Sequence, residues 1–141
     1  MNKVKIYIDE NLPSQLAKGL NELQKPLNVR ENLDIEVHSV KDVYGKGAQD
    51  EDWLPMVGEE NGIVITQDYR IQTQRHQKEI YIDAGVGILF LKPPSKTGFS
   101  YWDMVRILVN QWDEIKGILR KNKPPFAFRY TSRRKFEKLD L

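Results

Sequence analysis

Short apolar runs alternate with longer segments of helical periodicity along this chain. Four runs are typical of buried strands, at 4–8, 35–40, 63–66 and 86–91. Apolar runs bounded by polar residues are expected of strands in a parallel sheet, because both faces of such a sheet are covered. The alternation of these runs with helical segments predicts an α/β fold with a mainly parallel sheet.

Apolar residues three or four positions apart predict the helices between these strands. The first helix has leucines at this spacing, and we expect Pro26 to end it. A second helix is predicted from Asp50 to just before Gly62, and an exposed helix over about 69–81. Right-handed crossovers would then place helices on both faces of the sheet.

The clearest helix begins at Ser100, with Asp103 in capping position. The apolar stripe of this helix consists of Trp102, Val105, Leu108, Val109, Trp112, Ile115 and Leu119. The stripe predicts that the tryptophans of the helix pack in the core. After it, 126–131 is predicted as a late strand at the edge of the sheet. The whole chain is interpreted as one domain over 1–141, with a core over about 1–121 and a basic extension over about 122–141.

Composition narrows the class of protein. The chain of 141 residues is 40% hydrophobic and 30% charged, which is typical of a globular domain. It has no cysteine, so disulfides, zinc–thiolate sites and thiol catalysis are excluded. No apolar run approaches membrane-spanning length, and no signal peptide is evident at the start. We therefore expect a cytoplasmic protein with no membrane contact.

Charge is unevenly distributed along the chain. From Lys116 onward there are nine basic and two acidic residues, a balance of +7, whereas the whole chain carries +2 and the first 115 residues therefore carry −5. A basic end on an acidic body indicates an anionic partner. We predict that this anionic partner is contacted by five basic residues, Arg70, Arg129, Arg133, Arg134 and Lys135.

Three acids stand where strands end or helices begin. Asp9 and Asp68 follow the first and third predicted strands, and Asp50 opens a helix, with Glu51 and Asp52 as alternatives for this middle acid. The carboxyl ends of parallel strands meet at one edge of a sheet, so we expect the three acids to converge. Clustered carboxylates resist joint ionisation unless a cation neutralises them, and oxygen ligands favour Mg²⁺ or Mn²⁺. The pattern predicts a metal site.

The three acidic motifs, in this order, resemble a known family. The segments Ile8-Asp9-Glu10-Asn11-Leu12-Pro13, Gly47-Ala48-Gln49-Asp50-Glu51-Asp52 and Val64-Ile65-Thr66-Gln67-Asp68 look like those of PIN-like nuclease domains related to VapC toxins. The resemblance implies a three-layer fold and a Mg²⁺- or Mn²⁺-dependent ribonuclease that is often paired with an antitoxin protein.

The resemblance also assigns roles to residues of this chain. It implies that Asp9, Asp50 and Asp68 are the catalytic, metal-ligating acids, and that Asn11 and Thr66 orient them. Many members have a fourth acid, which we do not place here. We also allow for a homodimer.

Two other functions are compatible with the sequence. One is an inactive PIN-like module that binds RNA or a protein through its basic end. The other is a receiver-like phosphoacceptor domain, because Lys92-Pro93 follows the last predicted strand of the core. The spacing disfavours the receiver, since a further strand is required between Asp68 and Lys92.

Overall fold

A single mixed sheet organises the chain in the computed structural model, which describes residues 3–93, 96–131 and 133–141. Its strands are β1 (Val4–Ile8), β2 (Ile35–Ser39), β3 (Ile63–Thr66), β4 (Gly87–Leu91), β5 (Phe126–Tyr130) and β6 (Phe136–Lys138). Their order is β2-β1-β3-β4-β5-β6. The first five are parallel to their neighbours, and β6 pairs antiparallel with β5. The predicted α/β class and mainly parallel sheet are confirmed.

Helices cover both faces of this sheet, as predicted. They are α1 (Ser14–Glu31), α2 (Val40–Tyr44), α3 (Asp50–Glu59), α4 (Arg70–Thr73), α5 (Arg75–Ala84) and α6 (Tyr101–Lys121). Helices α1 and α6 pack on one face, where Leu16 and Leu108 join Ile8 and Ile65 in the core. Helices α3, α4 and α5 pack on the other face, where Trp53 joins a separate core cluster.

The order of the strands places a crevice between β1 and β3. The chain leaves β1 for β2 on one side, and then returns across β1 to form β3 on its other side. Helix α1 lies on one face and α3 on the opposite face, so the two connections diverge at this point. In parallel α/β sheets, ligands bind at the carboxyl edge of such a switch point. This is where Asp9 and Thr66 lie.

Several local predictions were wrong at the ends of elements. Pro26 lies inside α1, which continues to Glu31. The last turns of α1 are held by Asn28, whose amide exchanges two hydrogen bonds with the backbone of Ile35, so tertiary contacts outweigh the proline. Val40 belongs to α2 rather than to the second strand.

The C-terminal half departs from prediction in the position of β5, in the buried stripe of α6 and in the segment 69–81. Strand β5 is not at the edge, because β6 pairs beyond it. Trp102 and Val109 are 64% and 51% exposed, so the core-facing stripe of α6 is narrower than predicted. The β4–α6–β5 connection runs in the same direction along the sheet as β3–α5–β4 but over the opposite face, so the two crossovers differ in hand. The predicted 69–81 helix is two helices, of which Ile71 and Tyr81 are buried.

Candidate active site

The hydroxyl of Thr66, the last residue of β3, links the polar groups at the crevice. It is fully buried, and donates a hydrogen bond to Asp9 Oδ2 at 2.7 Å. It accepts hydrogen bonds from Asn11 Nδ2 at 3.1 Å and from the backbone N–H of Asp68 at 2.9 Å. The backbone N–H of Asp9 donates to the Ile65 carbonyl at 3.0 Å. These bonds fix the acid after β1 against the end of β3.

Asp9 is the most deeply buried of the three predicted acids. It is 6% exposed, and its Oδ1 accepts a hydrogen bond from the backbone N–H of Glu10 at 2.8 Å. Burial raises the pKa of Asp9, the Thr66 hydroxyl and the Glu10 N–H act against this rise, and the negative charge of Asp68 adds to it. A carboxylate with this environment is ionised at a cost that a nearby cation would offset.

Asp50 is the first residue of α3 and faces the same acids. Burial, together with the negative charges of Asp9 and Asp68, raises the pKa of Asp50 to about 6. A residue at a helix start is ordinarily favoured as an anion, because the helix dipole is positive there. The rise therefore indicates that repulsion and desolvation dominate at this position.

Asp68 already has a cationic partner. Arg70 Nε and Nη2 lie 2.8 and 2.9 Å from Asp68 Oδ1 and Oδ2, in a bidentate ion pair. This hydrogen-bonded guanidinium lowers the pKa of Asp68. We predicted that Arg70 contacts RNA, and that prediction stays open, but any such contact competes with the ion pair.

The three acids line one cleft of about 530 Å³. Glu10 and Glu51 line it as well, together with Arg70 and His76. Asp52 is exposed and is not among the lining residues within the described chain, so its candidacy as the middle acid gains no support from the cleft and stays a prediction. The convergence of Asp9, Asp50 and Asp68 agrees with expectation, whereas their role as ligands stays a prediction.

The donor set suits a hard divalent ion, because it consists of carboxylate oxygens in a cleft with excess negative charge. As the side chains are placed, however, the described residues contain no group of three or more His, Cys, Asp or Glu side chains that could hold a metal ion. Both oxygens of Asp68 accept hydrogen bonds from Arg70. An ion held jointly by the three acids would therefore compete with the guanidinium for Asp68.

Two residues that support the cleft were not predicted as part of the site. Gln67 donates from Nε2 to the Asn11 carbonyl at 2.7 Å, and its Oε1 accepts from the Phe99 N–H at 3.2 Å. Glu10 accepts a hydrogen bond from the Gly47 N–H at 3.0 Å, which ties the loop before α3 to the end of β1. Both residues lie inside the acidic motifs, but nothing in their type or spacing predicts these partners.

Three basic residues of the C-terminal extension, Arg133, Arg134 and Lys135, lie between β5 and β6, beyond the carboxyl end of β5. This is the same edge of the sheet as the acids. Arg129 lies within β5 itself and is partnered by Glu137, with Nη2 3.4 Å from Oε2. Arg134 lines a different cleft, with residues of α6. The contacts of Arg129, Arg133, Arg134 and Lys135 with RNA stay predictions.

The fold and the cleft together define the class: this is an α/β protein whose mainly parallel sheet has a carboxylate-lined cleft at its switch point. Residues 4–93 match the family model described as PIN like domain. The match covers more than half of the chain, so the protein belongs to the PIN-like domain family, and membership suggests a nuclease-type function. No curated protein and no solved structure gave a significant match.

Two further observations bear on the alternatives. The ammonium of Lys92 lies 5.1 Å from the centroid of the Tyr69 ring, and Lys92 is not among the residues that line the acidic cleft in the described chain. The receiver interpretation therefore gains no support from Lys92. No helix in the described ranges is both long and apolar enough to cross a membrane.

Proposed function

We propose that this protein is a metal-dependent endoribonuclease, with Mg²⁺ or Mn²⁺ as cofactor and Asp9, Asp50 and Asp68 as the acids that hold it. The observation that carries the proposal is the convergence of Asp9, Asp50 and Asp68 in one cleft, where burial and neighbouring negative charge raise the pKa of Asp9 and Asp50. Such a concentration of negative charge is unfavourable by itself and favourable around a divalent cation. Membership of the PIN-like family supports the nuclease class.

The bound metal would supply a nucleophilic water at neutral pH and stabilise the charge that develops on the phosphodiester. Asp9 is held for this role by Thr66 and by the Glu10 N–H, so its oxygens are oriented before an ion arrives. Asn11 donates to the Thr66 hydroxyl and would act on Asp9 through it. The carboxylates serve as ligands, and the proposal requires no histidine base.

The test is cleavage of a fluorescent single-stranded RNA with Mn²⁺ or Mg²⁺, with EDTA as the blank. We expect Asp9→Asn to lower the rate by at least about 100-fold, because even residues that only orient a metal ligand cost 10- to 100-fold. Asp52→Asn is the matched control, since it removes a carboxylate outside the cleft. Equal rates for wild type and Asp9→Asn, with contaminating nucleases excluded, would contradict the proposal.

We further propose that the protein acts as the toxin of a toxin–antitoxin pair, as the motifs suggest by their resemblance to VapC-related domains. The partner would be an antitoxin protein that blocks the acidic cleft. Expression of wild type should arrest growth of the host, and expression of Asp9→Asn should not. Growth arrest by both proteins to the same extent would show that toxicity does not depend on the carboxylate of Asp9.

A further inference from the structure

Two cations share one aromatic ring beside the acidic cleft. Tyr69 follows Asp68 directly, and its ring packs edge-on against Phe90 with centroids 5.1 Å apart. Lys92 Nζ lies 5.1 Å from the centroid of the Tyr69 ring, and Arg129 Cζ lies 5.9 Å from it. Arg129 Nη1 also donates to the Tyr69 hydroxyl at 3.4 Å. We refer to Tyr69, Lys92 and Arg129 as the cation–tyrosine cluster.

The sheet register places this cluster level with the acids. Thr66 of β3 is paired with Phe90 of β4, and Phe90 with Arg129 of β5. Residues that are paired across neighbouring strands have their side chains on the same face of the sheet, so Thr66 and Arg129 lie on the same face. Neighbouring strands are about 4.8 Å apart, which puts Arg129 about 10 Å from Thr66 and about 14 Å from the end of β1.

The cluster has more positive charge than its acidic neighbour Glu137 compensates. Lys92 and Arg129 contribute two cations, and Glu137 is the acid that pairs with Arg129, at 3.4 Å and partly exposed. The two cations are no more than about 11 Å apart, the sum of their distances from the ring centroid, which is close to a Debye length at 0.1 M salt. They repel each other, and an anion that contacts both would relieve the repulsion.

The geometry favours a phosphate rather than a base as that anion-bearing partner. Both cations are held within cation–π distance of the ring, so the aromatic surface already has partners that a stacked base would have to displace. Arg129 presents five N–H donors, and its two hydrogen bonds in the described chain are both 3.4 Å long. A guanidinium and an ammonium so placed are suited to phosphate oxygens.

We propose that the cation–tyrosine cluster binds a backbone phosphate of single-stranded RNA, about 10 to 14 Å along the sheet edge from the acids. The inference rests on the proposed function and deepens it, since it gives the line along which RNA crosses the edge, from β1 towards β5. Tyr69 positions the two cations, and Lys92 and Arg129 make the phosphate contacts.

The test is equilibrium binding of a fluorescent ten-nucleotide oligouridylate by anisotropy, in EDTA and over a range of salt concentrations. Lys92→Gln and Arg129→Gln should each weaken binding about two- to fivefold, as expected for one exposed ion pair. Each should also reduce the slope of log affinity against log salt by about 0.7, the value for one phosphate contact in a single strand. Lys123→Gln is the matched control, because it removes the same charge near the amino end of β5, at the opposite edge.

Tyr69→Leu should lower affinity as much as the charge variants, whereas Tyr69→Phe keeps the ring and should bind within about twofold of wild type. If Tyr69→Leu does not fold, the two charge variants decide. Affinity and slope equal to those of Lys123→Gln would overturn the proposal. So would binding of polyglutamate in place of RNA, since that result would assign the cluster to an acidic protein segment.

The outcome is separable from that of the cleavage assay. Binding in EDTA does not depend on the metal or on catalysis. A protein that never cleaves RNA but loses salt-dependent binding in Lys92→Gln and Arg129→Gln would retain the phosphate subsite and refute the nuclease. Metal-dependent cleavage with unchanged RNA binding in these variants would support the nuclease and overturn the phosphate subsite.

Discussion

Replacing Asp50 by asparagine should stabilise the metal-free protein at neutral pH. The variant Asp50→Asn removes one negative charge from the cleft and keeps the size of the side chain. Asp52→Asn is the control, because Asp52 is exposed and lies in the same first turn of α3. Both changes remove a negative charge that favours the start of the helix. The difference between the two variants in the free energy of unfolding therefore reports the repulsion inside the cleft.

The magnitude follows from the raised pKa of Asp50. A rise from the ordinary value of 3.8 to about 6 corresponds to about 3 kcal/mol between the two protonation states. The side chain is partly exposed, and solvent screening reduces this figure to about 1 to 2 kcal/mol. We therefore expect Asp50→Asn to exceed Asp52→Asn by about 1 to 2 kcal/mol in the free energy of unfolding at pH 7.5.

The sign of the pH dependence is fixed by the direction of this rise. The folded state holds the Asp50 proton more tightly than the unfolded state, so ionisation of Asp50 costs stability as the pH rises from about 4 to about 6. Below pH 4 the carboxyl is protonated in both states and the cost is absent. The advantage of Asp50→Asn should therefore be full above pH 6 and should vanish near pH 4.

Urea denaturation in EDTA at pH 4, 5, 6 and 7.5 measures the effect, with the midpoint followed by circular dichroism. A repeat in Mg²⁺ should favour wild type, because an ion that binds only the folded state stabilises it and needs the ligand charge. An Asp50→Asn variant that is no more stable than Asp52→Asn at pH 7.5 would refute the argument that the cleft concentrates unfavourable charge.

Three further predictions concern Thr66, Arg70 and the connection between β5 and β6. Thr66→Val should cost about 2 to 3 kcal/mol of stability in urea denaturation, because Asp9 loses a buried donor, whereas Thr66→Ser should cost only about 1 kcal/mol; equal losses would contradict the role of the hydroxyl. Arg70→Gln should raise the pKa of Asp68 and tighten Mn²⁺ binding in calorimetry, since the guanidinium no longer competes for the carboxylate, and weaker binding would show instead that Arg70 supports the site. The connection between β5 and β6 is tested by a triple alanine variant of Arg133, Arg134 and Lys135. It should flatten the salt dependence of RNA binding, and an unchanged slope would exclude these residues from the interface.

The strands that carry the acids were predictable because their sequences combine two strong signals. Residues 4–8 and 63–66 are mostly apolar and are followed by polar residues, and the last three residues of the first strand and all four of the other are buried. Their adjacency was inferred from the rule that ligands gather at the switch point of a parallel sheet. The register confirms it, with Ile8 opposite Ile65.

The predictions that failed depend on contacts between distant segments. The extension of α1 past Pro26 requires Asn28 to bond the backbone of Ile35. Strand β6 has three residues and one buried apolar side chain, Phe136, which is too short a pattern to predict a strand. The narrow buried stripe of α6 reflects its partner α1, since Trp112 Nε1 donates to the buried Gln24 at 3.0 Å. None of these partners is encoded in local periodicity.

The environments of the three acids divide the charge of the cleft unequally. Arg70 compensates Asp68 and lowers its pKa, whereas the pKa values of Asp9 and Asp50 are raised by burial and by the charges of neighbouring acids. The uncompensated negative charge at neutral pH therefore lies between the end of β1 and the start of α3. Electrostatics favour the approach of a cation from that side, and such an ion would compete with Arg70 for the oxygens of Asp68. Arg70 itself lines the cleft, so a phosphate that approached the proposed ion would meet a cation at the cleft wall.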